Sequence, residues 1–329
     1  MSELTYGSVV PLTNGKTVIV DRLLGAGGQG LVYLCKMGGV EYALKWYKQR
    51  PSDAFHDNLV KNIEEGAPSS SFIWPLYLTR FANGSFGYVM KLRPQDHLEF
   101  GEFRLAHCRF KSWQSIISAA IQICEAFRAL HAKGLSYQDL NDGNFFIHPE
   151  TGHVLICDND NVFPNLENSG ILGKARYMAP EVVSGSSLPN SYSDRFSLSV
   201  ILFMLFCIDH PFEGKEVCSK VCLTEDIERE IFSHPLFIYD KDNNRNQPVR
   251  GVHRNVMAFW PQLPEVLQQT FVQEFSQDRL FQPDQRITEL QWLNILQEVR
   301  DCLVHCPHCG DETFIRRIYE HSGVISGLD

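Results

Sequence analysis

The sequence predicts an α+β, bilobal chain, with a small β-rich lobe followed by a larger helical lobe. Three observations predict it. The first ninety residues are dominated by β-branched and aromatic positions broken by glycines. From about residue 112 the apolar period changes to that of a helix. After residue 190 the chain reads almost wholly helical. The boundary is expected near Leu92–Pro94, giving residues 1–93 and 94–300, with a short cysteine- and histidine-bearing tail over 301–329.

The elements follow in order. KTVIVDRLLGAGGQGLVYLCKMGGVEYALKWY reads as strands, with Gly38-Gly39 as a hairpin turn. Phe55, Leu59 and Ile63 recur at intervals of four, so residues 53–64 form a short helix ended by Pro68 and the serines after it. FGYVMKL, from Phe86 to Leu92, is another strand. In SWQSIISAAIQICEAFRALHAKG the apolar residues form one stripe, opened by Ser112 as N-cap and closed by Gly134. NFFIH and HVLICD are two short strands flanking His148–Gly152. DKDNNRNQPVRGVHRN is a polar insertion expected as an exposed loop.

Composition narrows the function classes. With 44% hydrophobic and 21% charged residues, the chain resembles a globular protein with a real core, not a disordered one. A net charge of −9 argues against nucleic acid as a general partner. FSLSVILFMLFCI, Phe196 to Ile208, is thirteen residues with two serines, short for a membrane span and suited to a buried helix. No basic start followed by an apolar run opens the chain, so a cytoplasmic protein is expected. Most of the ten cysteines sit singly in apolar patterns, the usage of free thiols in a reducing compartment.

Two stretches carry chemistry. Gly25-Ala26-Gly27-Gly28-Gln29-Gly30 contains GxGxxG, whose amides can approach phosphate closely. By itself it is equally a glycine-rich hairpin. A dinucleotide fold would open a helix here, whereas this loop opens the strand LVYLCK. Lys45 follows Gly30 by fifteen residues, sharing a strand face with Ala43 and Tyr47. It is either an edge lysine snorkelling to water or a lysine aimed into an interlobe cleft to grip nucleotide phosphates. The second role needs an acid partner, and Glu64 is expected to supply it. The other stretch is YQDLNDGNFFI, Tyr137 to Ile147, a polar turn before a strand in which Asp139 and Asn144 lie five residues apart.

Together these pieces resemble the eukaryotic-like (Hanks-type) protein kinases, in a divergent bacterial branch, over about residues 16–300. The pattern is carried by Gly25/Gly27/Gly30, Lys45, Asp139-Leu140 with Asn144, Asp158, and Ala179-Pro180-Glu181 within YMAPE. Asp194, at the start of the helix after Asn190, resembles the aspartate that anchors the catalytic-loop backbone, and Arg286 the arginine that pairs with Glu181. The resemblance implies an ATP-dependent protein kinase acting on Ser/Thr hydroxyls. Asp139 would be the base, Lys45 with Glu64 would hold the phosphates, and Asn144 and Asp158 would bind Mg (or Mn). It also places Ala26, Val32, Ala43, Met90 and Leu92 around the nucleotide. At family level it implies a protein substrate, a cognate phosphatase and an adhesion-type metal-binding domain as partners, with no nucleic acid or membrane.

The departures are informative. Tyr137-Gln138 replaces His-Arg before the catalytic aspartate, so a phosphorylated activation loop loses its usual dock. Only Ser169 and Tyr177 could accept phosphate between Asp158 and Glu181. Asn141 replaces a lysine that neutralises the transferred phosphate, and Lys174 or Arg176 are the available substitutes. Asp158-Asn159-Asp160 stands for D-F-G, with Asp160 expected as a turn cap and metal contact the lesser alternative. A catalytically dead nucleotide-binding scaffold and a small-molecule phosphotransferase are the rival functions. In the tail, Cys306-Pro307-His308-Cys309 is a C-x-x-C knuckle. A Zn site would use Cys306 and Cys309, completed from among Cys302, His305, His308 and His321; the plainer reading is a loop of free cysteines.

Overall fold

The computed structural model describes residues 3–82, 84–167, 170 and 173–315. The chain falls into two compact units. One runs up to His97 and takes back Leu155–Asn161; the other holds Leu98–Val154 and the chain from Val162 onward. A single break near Leu92–Pro94 does not describe that return.

The first unit is built on β1 (Val9–Pro11), β2 (Thr17–Ala26), β3 (Gly30–Met37), β4 (Val40–Tyr47), helix α1 (Asp53–Glu65), β5 (Pro75–Leu78) and β6 (Gly87–Lys91). The strands form one antiparallel sheet in the order β1-β2-β3-β4-β6-β5. Gly38 and Gly39 both hold φ in the left-handed region, at 58° and 82°, and close the β3–β4 hairpin. One face buries Leu12, Val18, Val20, Tyr33, Leu44 and Trp46. α1 is capped by Ser52, whose hydroxyl accepts from the Phe55 amide at 3.2 Å, and it stops at Gly66. Its buried residues are Phe55, Leu59 and Asn62, so the inward face turns one residue away from Ile63.

The second unit continues with β7 (Leu98–Glu99), α2 (Phe100–Arg104), α3 (Trp113–Ala132), β8 (Leu135–Tyr137), β9 (Phe145–Ile147), β10 (Val154–Ile156, only partly in this unit) and β11 (Val162–Pro164). Helices α4 (Pro180–Val183), α5 (Ser191–Cys207), α6 (Lys215–Cys218), α7 (Glu225–Ser233), α8 (Arg254–Phe259), α9 (Glu265–Glu274), α10 (Gln277–Leu280) and α11 (Glu289–Asp301) follow, then the hairpin β12 (Leu303–His305) and β13 (Glu312–Phe314). α3 begins and ends where its sequence says. Ser112 and Ser115 cap reciprocally, and Gly134 takes φ 71° beyond its last turn. α5 is buried from Phe196 to Cys207, its two serines included, as an apolar run this long requires of a core helix. Among the described residues no helix is long and apolar enough to cross a membrane. The polar insertion is not simply an exposed loop. Asn246 is buried and its amide donates to the carbonyls of Phe212 at 2.9 Å and Leu236 at 2.6 Å.

Candidate active site

In the first unit the glycine loop joins β2 to β3. The Gly27 amide donates to the Gly30 carbonyl at 2.9 Å. A Cβ on Gly30 would stand 2.6 Å from the Trp46 carbonyl oxygen, whereas one on Gly25 or Gly28 would meet nothing within 4 Å. Gly30 is therefore required by strand packing, and the exposed glycines of the loop leave room for a ligand. The loop's Gln29 accepts from Lys45 Nζ at 3.3 Å.

Gly25, Val32, Lys45 and Tyr88 lie in register across β2, β3, β4 and β6, and Ala43 lies opposite Met90. Ala43 and Met90 are buried, while Leu92 is half-buried and Ala26 exposed. Lys45 is buried too, yet its ammonium does not meet Glu64, which is exposed on α1. Its acid partners are Asp160, at 2.8 Å from Oδ2, and Asp158, at 3.4 Å from Oδ1. Helical phase explains the correction. With Phe55, Leu59 and Asn62 turned inward, Glu64 falls on the outer face.

Asp160 is not a surface turn cap. Its side chain is 0% exposed, and its oxygens also accept from Tyr47 Oη at 2.6 Å and Tyr88 Oη at 3.1 Å. Burial, reinforced by the Asp160 charge, pushes both phenols well above their usual pKa, so both remain donors. For Lys45, burial favours loss of the proton, but Asp160 and then Asp158 outweigh it and hold the pKa up. Asn159, in place of the usual phenylalanine, donates to the carbonyls of Ile73 at 2.8 Å and Ile156 at 2.9 Å. Asp158 sits at φ 55°, an unusual conformation for a non-glycine residue, and its side chain stays 47% exposed.

In the second unit Asp139 lies in the turn between β8 and β9. Asn141 organises that turn. Its amide donates to Asp139 Oδ1 at 3.2 Å, while its oxygen accepts from the Gly143 amide at 3.0 Å and Lys174 Nζ at 3.1 Å. Asn144 Oδ1 accepts from the Asn141 amide at 2.9 Å. Arg176, the other cation considered for this place, is taken by Glu213 at 2.6 Å from Nε. Arg104 holds Asp142 at 2.5 Å, which keeps the Asp142 carboxyl below its usual range against the effect of burial.

The frame around the turn is ionic. Asp194 Oδ2 accepts from the Tyr137 amide at 2.7 Å and from His131 Nε2 at 3.0 Å. His131 Nδ1 meets Glu289 at 2.9 Å, and Arg195 meets the same carboxylate at 3.0 Å. Arg286 forms two parallel bonds to Glu181, at 2.7 and 2.8 Å.

The family described as protein kinase domain matches residues 18–294. The chain belongs to the protein kinase family. Among its relatives are the G protein-coupled receptor kinase 2 of Caenorhabditis elegans, 26% identical over 64% of this chain and 31% of that protein. A probable cAMP-dependent protein kinase catalytic subunit of Encephalitozoon cuniculi is 29% identical over 58% of this chain and 60% of its own length. Protein kinase YegI of Escherichia coli is 24% identical over 90% of this chain and 47% of its own. The chain thus spans less than two thirds of each of these relatives.

A kinase of this family uses ATP and a magnesium-type cation, and each of the two expected donors, taken by itself, has oxygen chemistry suited to such a cation. Asp158 presents a half-exposed carboxylate, and Asn144 an amide oxygen with a second lone pair beyond its bond to Asn141. The residues of these buried networks to which the sequence assigns no such place are Asp160, Tyr47, Tyr88 and His131. The period-two pattern of β4 already placed Tyr47 beside Lys45, whereas nothing local marked Asp160 or His131.

The tail knuckle is a tight turn. Cys306 accepts at its carbonyl from the Gly310 amide, 2.8 Å away, and the ring of Phe314 packs on Trp113. Among the described residues no group of three or more His, Cys, Asp or Glu is placed to hold a metal, and His321 lies outside them. Cys302, Cys306 and Cys309 are free thiols here.

Proposed function

We propose that this kinase transfers the γ-phosphoryl group of ATP to Ser/Thr hydroxyls of a protein substrate. The observation that carries the proposal is the turn built on Asp139, in which Asn141 ties the aspartate to the ammonium of Lys174. In the transfer, the bond between the γ-phosphorus and the β–γ bridging oxygen breaks and ADP leaves. A new phosphorus–oxygen bond forms to the hydroxyl, whose proton passes to Asp139. Lys174 supplies, from the activation segment, the positive charge that Asn141 lacks. Lys45 holds the nucleotide phosphates, and Asn144 and Asp158 are the residues that would hold magnesium. When bound, the cation neutralises phosphate charge.

The Arg286–Glu181 pair supports a protein acceptor, since it braces Ala179-Pro180-Glu181, a motif that in the kinases this chain resembles holds the platform for peptide substrates. Activation-segment phosphorylation is not required. Tyr177 is buried, and Gln138, in place of the docking arginine, donates to the Glu167 carbonyl. Ser169 lies outside the described residues.

Transfer of label from γ-labelled ATP to casein, with Asp139→Asn as control, tests the reading. Transfer by the parent alone supports it; binding of ATP without transfer indicates a scaffold, and transfer only to small molecules a different phosphotransferase. Ser169→Ala is expected to keep at least about half the parent rate, the small change usual for a site outside the machinery.

A further inference from the structure

We propose that Asp160 is the residue that positions Lys45, and that Tyr47 and Tyr88 hold Asp160 in place. The proposal deepens the kinase reading, because it rests on Lys45 being the phosphate-gripping lysine. A carboxylate removed from water is costly unless its oxygens are met by donors. Here both are met. Oδ1 faces Lys45 Nζ at 3.0 Å and Tyr88 Oη at 3.1 Å, and Oδ2 faces Lys45 Nζ at 2.8 Å and Tyr47 Oη at 2.6 Å.

The sheet aligns these donors. Lys45 and Tyr47 are two residues apart on β4, so they share a face. Tyr88 is the direct cross-strand partner of Lys45 on β6. The segment that delivers Asp160 is itself held by the Asn159 amide on two backbone carbonyls. A turn-capping aspartate needs none of this and would be wet. Asp158 is the weaker partner of Lys45, farther away and half-exposed, which leaves it available for metal.

The consequence concerns control. The acid that aligns the lysine is carried by the same short segment as the metal aspartate, not by α1. A shift of α1 therefore leaves the pair intact, while a shift of Leu155–Asn161 moves both acidic groups at once.

The test measures calorimetric affinity of the full chain for ATP and for adenosine. Asp160→Asn is expected to weaken ATP about tenfold, as loss of a charged partner does, and to leave adenosine within about twofold. In a Lys45→Met background the same substitution is expected to cost less than about twofold, because no ammonium remains to be placed. Glu64→Gln should leave both affinities within about twofold, as an exposed site does. Tyr47→Phe and Tyr88→Phe, which remove one hydroxyl each, should each cost ATP about threefold, the worth of one hydrogen bond. They decide the matter if Asp160→Asn does not fold.

Equal losses with and without Lys45, a tenfold loss for Glu64→Gln, unchanged ATP affinity in both tyrosine variants, or tighter ATP binding by Asp160→Asn would each overturn the proposal. These affinities report on Asp160 whether or not phosphate is transferred. Label transfer with the Asp139→Asn control reports on the kinase reading separately.

Discussion

At the scale of single residues, the proposed function has Lys174 supply, through its bond to Asn141, the charge that Asn141 lacks. Asn141 cannot neutralise a phosphate, but its two-ended amide joins the carboxylate of Asp139 to the ammonium of Lys174. Lys174→Ala is therefore expected to lower kcat about 10- to 100-fold with KM for ATP little changed, the signature of an interaction made in the transition state. Arg176→Ala serves as comparison, since Glu213 already engages that guanidinium. Steady-state kinetics at saturating acceptor separates them. Residue identity alone allows either cation; the three-dimensional neighbourhood puts Lys174 on Asn141 and Arg176 on Glu213, which supports Lys174. Asp160 was misread for a related reason. Aspartate is common in turns, and no local rule reveals that two tyrosines and a lysine wait on distant strands. Glu64 escapes the sequence pattern because the apolar stripe of Phe55, Leu59 and Ile63 gives no sign that the inward face of α1 passes through the polar Asn62.

At the scale of elements, the capped helices and the glycine hairpin could be read from pattern because their causes are local. Ser112 and Gly134 bound α3, and Gly38-Gly39 turn β3 into β4. The return of Leu155–Asn161 to the first unit could not be read so, since period and turn chemistry say nothing about which distant strand a segment joins. The glycine loop gives a direct check. Gly30→Ala places a methyl group 2.6 Å from the Trp46 carbonyl oxygen. It is expected to destabilise the chain by about 1–3 kcal/mol through overpacking. Gly28→Ala, facing open space, should leave the melting temperature unchanged within about 1 °C, as expected of a surface substitution. Thermal unfolding followed by circular dichroism distinguishes the two.

At the scale of the whole molecule, α3, α5, α11 and the end of β8 meet at one charge cluster, His131, Asp194, Arg195 and Glu289. Burial alone would discharge His131, but Asp194 and Glu289 outweigh it and raise its pKa to about 9 from 6.5. Burial also pushes Asp194 up, although an imidazolium between two carboxylates favours the ionised acid; the raised His131 is the direction the geometry supports. A histidine whose pKa is raised on folding lends stability that is complete below the unfolded value near 6.5 and is lost as pH rises through about 9. Stability in urea should therefore fall by a few kcal/mol, in order of magnitude, between about pH 6.5 and 9. His131→Gln should flatten that dependence; an equally steep decline in the variant would assign it to other groups.

Phosphosite mass spectrometry bears most directly on the claim that this chain is an active protein kinase built around Asp139. Cell extract is incubated with ATP and either the parent or Asp139→Asn, and acceptor residues are mapped. New phosphoserine and phosphothreonine sites with the parent alone are the expected result. Identical site sets with both proteins, in samples that bind ATP equally, would contradict the claim.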